Sequence, residues 1–323
     1  MSQVWDSLRK AVGKDAVTPK AISATTQILR KLTGVEQFEQ REFKAFVQGL
    51  QQADIAFLPI GEFVDRYVAY YGKHGQLRPE EDAKFGHLKF DIHGDIVRPV
   101  EMARTLNRLG VHGLFLIMHR HALNEDWYGT PRMWDALKEI RDLGHEIGLH
   151  ADPFHLITTD NDLYAGVSKA LEDFSKNSFE LRVMTLHGDS RAHIKKHRLQ
   201  ANDFFLDEYR KTKWDGIAPE GQEMLAEHVG RYKHKRLYRK CGIEYVADVN
   251  LVHKGQLIVQ SPMMYLSDNQ RRLRIGHVEN KAKGERTMEA PELFRITPEF
   301  TAQAAKVLAR RPFLALFHPQ WYR

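Results

Sequence analysis

The sequence predicts an α/β fold in which a mainly parallel sheet closes, or nearly closes, into a barrel. From residue 87 onward, short apolar strands alternate with amphipathic helices, which is the order that βαβ units produce. About six to eight strands can be counted, and that number favours a barrel over an open sheet. With 323 residues, of which 42% are hydrophobic, the chain is long enough for one large domain with an appendage or for two smaller domains.

The first 53 residues are predicted to be helical. Apolar residues recur there at helical spacing from Ile22 to Leu50, and Pro19 suits the first turn of one helix. The apolar run Ile55–Leu58 then ends at Pro59, as expected for a buried strand. We therefore predict an N-terminal helical extension over residues 1–53, packed on a barrel over residues 54–323.

The alternating region supplies most of the predicted elements. Pro131 and Gly144 mark the start and the end of one helix, because proline fits a first turn and glycine a C-terminal cap. Residues 190–242 are polar and mixed, and we expect helical insertions there. The predicted strands are Leu88–Asp91, Gly113–Met118, Glu146–Leu149, Leu181–Leu186, Glu244–Ala247, Gln256–Gln260 and Phe313–Phe317. The predicted helices are Glu62–Tyr71, Pro99–Leu109, Thr130–Leu143, Asp162–Ser175 and Pro298–Arg310.

The composition argues against several classes of protein. The formal net charge is +6, and the densest basic stretches, residues 191–198 and 231–240, fit a solvated helix face better than a nucleic-acid or phosphate site. The single cysteine, Cys241, excludes a disulfide framework and a thiolate-rich metal site. No stretch approaches about 18 apolar residues, and the first residues lack a signal-peptide pattern. A cytoplasmic protein without a membrane span is therefore predicted.

Histidine and aspartate follow four of the predicted strands. In parallel α/β folds the carboxyl ends of the strands meet at one edge, where functional side chains gather. The polar residues at these strand ends are therefore expected to converge. They are Asp91, His93 and Asp95 after the strand at Leu88, His150, Asp152 and His155 after the strand at Glu146, His187 and Asp189 after the strand at Leu181, and His318 after the strand at Phe313.

Hydrolysis on a divalent metal ion is the chemistry that suits such a set. Zinc binds neutral imidazole and carboxylate, and a catalytic site keeps one position for water. A free carboxylate can act as base, and a further histidine can protonate the leaving group. Asp91 and His93 are two residues apart and so share one face of an extended strand. His145 and His150 are i and i+5, not the i and i+4 of helical zinc proteases, so His145 is predicted to be structural.

Several segments resemble the polysaccharide deacetylases, and within them the intracellular branch of surface-polysaccharide biosynthesis. Gly144–His150 resembles the second motif of that family, a Gly-His-Glu-Ile-Gly run that ends one residue before a metal-binding histidine. Phe90–His93 resembles the first motif, with His93 in place of the second aspartate of a pair. The similarity covers about Phe43 to Arg323 and continues through His187-Gly188, Tyr265–Asp268 and His318–Trp321.

The resemblance implies a distorted (β/α) barrel of about seven parallel strands and a zinc-dependent deacetylase acting on an N-acetylated sugar or glycan. It implies Asp91 as general base, His318 as general acid, and His93 and His150 as metal ligands. The third ligand stays open among His155, Asp152 and His187, with His155 assigned first. Substrate contacts are then expected from His187, Asp268 and Trp321.

Two other functions remain open. The same metal could hydrolyse another amide or a phosphoester, or the barrel could bind a glycan without turnover. His93, where the family prefers a carboxylate, and His155, one residue beyond the expected ligand position, keep the last alternative open. Neither a nucleic acid nor a membrane is expected as a partner.

Overall fold

The structure is a computed structural model that describes most of the chain from Phe38 onward. The described residues are 38–74, 82–121, 124, 126–152, 156, 163–187, 241–247, 251–254, 256–258, 263–268, 273–280, 285–288 and 295–322. The expectations for residues 1–37, for His155 and Asp189, and for the insertions over residues 190–240 lie outside this set.

The described residues contain six α-helices and twelve strands, and the elements that the sequence predicted in the alternating region lie within a few residues of their predicted bounds. The helices are α1 (Gln40–Gln52), α2 (Ile60–His74), α3 (Val97–Arg108), α4 (Pro131–Asp142), α5 (Leu163–Lys176) and α6 (Pro298–Leu308), with a 3₁₀ turn at Pro319–Trp321. The strands are β1 (Ala56–Phe57), β2 (Phe85–Ile92), β3 (Leu114–Ile117), β4 (Glu146–Ala151), β5 (Val183–Leu186), β6 (Tyr245–Val246), β7 (Val252–His253), β8 (Gln256–Leu257), β9 (Met264–Ser267), β10 (Arg274–Asn280), β11 (Glu285–Met288) and β12 (Phe313–Phe317).

All twelve strands belong to one sheet. Its order is β11-β10-β9-β12-β2-β3-β4-β5-β6-β7-β8, and β1 pairs with the start of β2. The seven strands from β9 to β6 in this order are parallel to their neighbours. Antiparallel strands extend the sheet at both ends. The fold is therefore α/β with a curled, mostly parallel sheet, as the alternation of strands and helices predicted.

The outer face of the sheet packs against the helices. Phe90 of β2 and Phe317 of β12 lie in the main apolar cluster. The ring of Phe43, in α1, meets theirs edge to face with centroid distances of 6.0 and 5.1 Å. Phe46 of the same helix stacks on Phe300 of α6. The end of the predicted N-terminal extension is thus part of the main core, and the chain from Phe38 onward forms one compact unit.

The inner face is covered at the amino ends of the strands by α2. Ile60 and Phe63 of this helix pack with Phe85, Leu116 and Leu314, which come from β2, β3 and β12. This apolar cluster fills the space below the carboxyl edge of the strands. The polar side chains of that edge therefore lie next to this apolar cluster.

Two helices begin with the same Thr-Pro pair. The Thr130 hydroxyl accepts a hydrogen bond from the Met133 N–H at α4, and Thr297 accepts one from the Phe300 N–H at α6. Threonine satisfies a free N–H of the first turn, and proline in that turn has no N–H to satisfy. These local signals explain why both helix starts were predicted correctly.

The sequence did not predict β7, β9, β10 and β11. Each is short or mixed in polarity, and β10 has the sequence Arg-Ile-Gly-His-Val-Glu-Asn. Such strands carry no clear two-residue period. β7, β10 and β11 pair with strands that are near them in the chain. β9 also has a distant partner, since it pairs in parallel with β12, where Leu266 lies opposite Ala315.

No α-helix within the described part of the chain combines the length and the apolar composition that crossing a bilayer requires.

Candidate metal centre

The carboxyl edge of the parallel strands carries a layer of buried polar side chains. Asp91 lies in β2 and His150 in β4, with 5% and 2% of their surface exposed. His187 and His318 directly follow β5 and β12 and are buried as well. His93 directly follows β2 and is half-buried. The polar residues at four strand ends therefore meet in one place, as expected for a parallel sheet.

Alternation along β2 turns Asp91 toward the inside of the sheet. Phe90 and Ile92 belong to the outer core, whereas Phe85 belongs to the inner cluster. Since successive side chains of a strand point to opposite faces, Lys89 and Asp91 face inward with Phe85. Lys89 is only 5% exposed, so a buried lysine side chain lies on the same side of the strand as Asp91.

His145 is a structural residue, which confirms its prediction. Gly144 follows α4 with a φ of +87°, a left-handed conformation that glycine adopts without strain. The next residue, His145, is buried, and its Nε2 donates to the Ala103 carbonyl at 2.9 Å. Its Nδ1 accepts the Gly113 N–H at 3.2 Å. Both ring nitrogens are therefore used inside the core.

The residues between His145 and His150 also serve the fold. A carboxylate oxygen of Glu146 accepts the Ile60 N–H at 3.0 Å, at the start of α2. Gly148 allows close packing between strands, because a Cβ there would lie 2.8 Å from the Val183 carbonyl oxygen and 2.9 Å from a Leu116 methyl group. The segment from Gly144 to His150 thus positions one functional side chain by packing and hydrogen bonding on all sides.

Three imidazoles form the centre of the polar layer. His93, His150 and His187 each offer a ring nitrogen, and these three atoms lie within 4.8 Å of one another. The ring centroids are 5.2 Å apart for His93 and His150, and 5.1 Å from each of these to His187. The His187 ring stands nearly perpendicular to the other two, with interplanar angles of 87° and 84°. Three nitrogens that converge in this way match the protein ligands of a catalytic zinc site.

The surroundings of His93 and His150 favour the neutral form of these two rings. Burial lowers the pKa of His93 and His150 well below the usual range, and the neighbouring imidazoles lower it further. The Nε2 atoms of both rings are buried and have no hydrogen-bond partner among the described residues. Neutral imidazole is the form that binds a metal, and a buried nitrogen without a partner is costly unless something occupies the position it faces. The residues present therefore fit a divalent cation.

Thr185 and Asp152 contact the outer nitrogens of two of the candidate ligand rings. The Nδ1 of His150 lies 2.8 Å from the Thr185 hydroxyl. The Nδ1 of His187 lies 3.2 Å from a carboxylate oxygen of Asp152. The register between β4 and β5 explains both contacts. His150 is paired with Thr185 and Ala151 with Leu186, so Asp152 and His187, which come next in the two segments, lie side by side.

Asp91 and the pair of His318 and Asp268 lie beside the three imidazoles. A carboxylate oxygen of Asp91 is 3.5 Å from the His150 Nε2. The His318 ring is 5.3 Å from that of His93, between centroids. Its Nδ1 lies 2.6 Å from an Asp268 oxygen, and the other Asp268 oxygen accepts the His318 backbone N–H at 2.9 Å. Burial lowers the pKa of His318, but the Asp268 carboxylate outweighs it, so that the pKa is raised overall.

Trp321 covers His318. The two rings stack with centroids 4.1 Å apart, so Trp321 packs on the imidazole as well as bordering the site. Asp268, also expected at the substrate, is completely buried behind His318 and supports that ring. His187 lies among the metal-binding candidates, where the sequence left the third ligand open.

His121 was not among the predicted site residues. It forms a second group with Asp152 and His187 whose ligand atoms also lie within 4.8 Å of one another. His121 follows β3, so the strand-end rule that found the other histidines also applies to it. Thr185 was missed for another reason: it lies within a strand, and only the pairing with β4 brings it to His150.

Comparison with protein-family models finds no match, and comparisons with curated proteins and with solved structures find none either. The interpretation of the site therefore depends on its residues and geometry.

Proposed function

We propose that this protein is a cytoplasmic zinc-dependent hydrolase that removes the acetyl group from an N-acetylated sugar in polysaccharide or lipopolysaccharide biosynthesis. The observation that carries the proposal is the convergence of His93, His150 and His187 between a buried Asp91 and the hydrogen-bonded His318. The curled parallel sheet is compatible with the distorted (β/α) barrel of about seven strands that the resemblance implies.

The ligand set in this proposal is His93, His150 and His187. A zinc ion held by three neutral imidazoles acidifies water and polarises a carbonyl group. Because His187 is supplied by the end of β5, the proposal needs no ligand from the loop that contains His155. His93 replaces the aspartate of the family pattern with a nitrogen ligand that zinc also accepts.

Asp91 and His318 divide the proton transfers. Asp91 takes a proton from the attacking water as the new C–O bond forms. His318 gives a proton to the sugar nitrogen as the amide C–N bond breaks, which releases acetate and a free amine. The raised pKa of His318, which the Asp268 carboxylate causes, suits a group that must hold its proton until the leaving group departs.

Metal analysis tests the site. We expect about one zinc ion per chain in the wild type, and its loss in His150→Ala and in His187→Ala. The matched control is His112→Ala, because His112 is an exposed histidine of the same sheet region. A wild-type protein that binds no divalent ion with all these histidines intact contradicts the proposal.

Acetate release tests the reaction. N-acetylhexosamine donors, free and nucleotide-linked, are incubated with the zinc-loaded enzyme. Asp91→Asn is expected to lower kcat by about 100-fold or more, as removal of a general base does, while zinc stays bound. Asp135→Asn, at an exposed position on α4, serves as the control. Zinc binding without hydrolysis of any acetamido sugar would instead favour a glycan-binding barrel or hydrolysis of another bond.

A further inference from the structure

Asp152 and His121 form a second group of polar side chains around His187. One Asp152 oxygen is 3.2 Å from the His187 Nδ1 and 3.5 Å from the His121 Nε2. Asp152 is 6% exposed, so its charge is largely removed from water. A buried carboxylate is costly unless hydrogen-bond donors surround it.

The loop that carries His121 is fixed by a buried side chain. The Asn124 amide donates to the Met118 carbonyl at 2.7 Å, and its oxygen accepts the His121 N–H at 2.8 Å. Asn124 is 1% exposed. The Asn124 side chain therefore holds the backbone at His121, which contacts Asp152. The ring centroid of His121 lies 5.8 Å from that of His187.

The tautomer of His187 decides whether it can bind a metal. An imidazole that offers Nε2 to an ion carries its proton on Nδ1, and this proton needs an acceptor. Asp152 stands at the Nδ1 side of His187. His150 has a similar arrangement, with the Thr185 hydroxyl at its Nδ1 and a buried Nε2 that has no hydrogen-bond partner among the described residues.

We propose that His121, Asp152 and His187 form an orienting relay for a single metal ion, in which Asp152 is a positioning residue that fixes His187 as the third ligand. The inference rests on the proposed metal site. The rival interpretation is a second cation held by the same three residues. It would require His187 to bind two ions through one ring, and so to lose its Nδ1 proton. In the relay the His187 ring stays neutral, and its Nδ1–H donates a hydrogen bond to the Asp152 carboxylate.

Zinc titration separates the two interpretations. The chelator-stripped protein is titrated with zinc alone in competition with a chromophoric chelator, for the wild type, Asp152→Asn, Asp152→Glu and His121→Gln. The relay predicts one equivalent in the wild type, with affinity about 10- to 100-fold weaker in Asp152→Asn. Asp152→Glu should recover part of this loss, and His121→Gln should lose less than Asp152→Asn.

The matched control is Asp173→Asn. Asp173 is also a carboxylate bound to a buried histidine, His119, at 2.9 Å, but neither residue belongs to the cluster of three imidazoles. Its substitution should leave zinc affinity unchanged. The visible absorption of the cobalt-substituted proteins gives a second readout, since a change in the orientation of His187 alters the ligand field, whereas a general loss of stability does not.

Each outcome bears on the relay. Two equivalents of zinc in the wild type, one of them lost in His121→Gln, would establish a second cation and overturn it. One equivalent with unchanged affinity and an unchanged cobalt spectrum in Asp152→Asn would also overturn it, and the proposed function would stand. A wild type that binds no zinc would remove the proposed function, and the relay with it.

Discussion

His145 and His150 lie in one segment, and their hydrogen bonds separate their roles. His145 uses both ring nitrogens inside the core, whereas His150 uses only Nδ1 and presents a buried Nε2 to the other imidazoles. Their spacing in sequence predicted this difference, because residues five apart in a strand point to opposite faces. The choice of His187 as the proposed third ligand could not be predicted, since His187 reaches the cluster through the pairing of β4 and β5.

His87 provides a prediction on acid sensitivity. It is fully buried with Nδ1 2.8 Å from the Leu58 carbonyl, and burial lowers its pKa to about 4. The unfolded chain, with an ordinary pKa near 6.5, takes up a proton first as the pH falls. Stability is therefore fully present above about pH 6.5 and is lost as the pH falls toward about 4, by up to about 3 kcal/mol from this residue alone.

Urea unfolding between pH 7.5 and pH 4.5 measures this contribution. We expect His87→Gln to unfold more readily at neutral pH but to lose about 1.4 kcal/mol less per pH unit than the wild type below pH 6. Above pH 7 the two curves should be parallel. Equal slopes below pH 6 would show that His87 is not the source of the acid sensitivity.

Among the elements, β4 shows how packing and chemistry share one strand. Gly148 lies two residues before His150 on the same inner face, and the strand beside it leaves no space for a side chain. Glu146, two residues before Gly148, accepts a hydrogen bond from the Ile60 N–H at the start of α2. The similarity of this segment to a deacetylase motif thus includes residues that hold the strand in place as well as a candidate ligand.

Gly148→Ala is expected to destabilise the protein by about 1–3 kcal/mol, because the added methyl group meets the Val183 backbone carbonyl, which cannot turn aside. It should also weaken zinc binding by displacing His150. The control is Gly72→Ala, in α2, where the added Cβ meets nothing within 4 Å and an exposed helical alanine should be neutral or stabilising. Thermal unfolding of both variants, with and without zinc, measures the two effects; equal behaviour of the two would contradict this account.

The elements themselves were predictable where local signals and periodicity agree. α4 has a capping threonine, a first-turn proline and a terminal glycine, and its bounds differ from the prediction by one residue at each end. β9 is the opposite case, since its four residues are ordered by pairing with β10 and β12. Pairing between distant segments leaves no local pattern to detect.

Across the molecule, the inner polar layer contains more acidic than basic side chains among the described residues. Asp91, Asp152 and Asp268 are buried there, and the basic groups beside them are Lys89 and His318, whose pKa the Asp268 carboxylate raises. The excess of one acidic group favours a cation over an anion at the imidazole cluster, in agreement with the ligand chemistry.

Zinc is therefore expected to stabilise the whole fold. At a free concentration about 100 times Kd, binding to the native state alone adds about 2.7 kcal/mol, and for a chain of this size that raises Tm by several degrees. Differential scanning fluorimetry with zinc, and with a chelator, measures the shift. His150→Ala should show none, whereas His112→Ala should respond like the wild type. An equal shift in His150→Ala would place the stabilising ion elsewhere.

The position of β12 has a consequence for synthesis of the chain. This strand lies between β9 and β2. Its pairing with β2 joins residues that are far apart in the sequence, such as Ala315 and Leu88. While the ribosome is still translating the preceding segments, β2 has no neighbour on that side, and an unpaired strand edge invites association with other chains. Native pairing at the centre of the sheet must therefore wait until Phe317 has left the ribosome. Incomplete translation products would lack both His318 and the strand that pairs with this edge of β2. We therefore expect them to be inactive and to be degraded by cellular quality control.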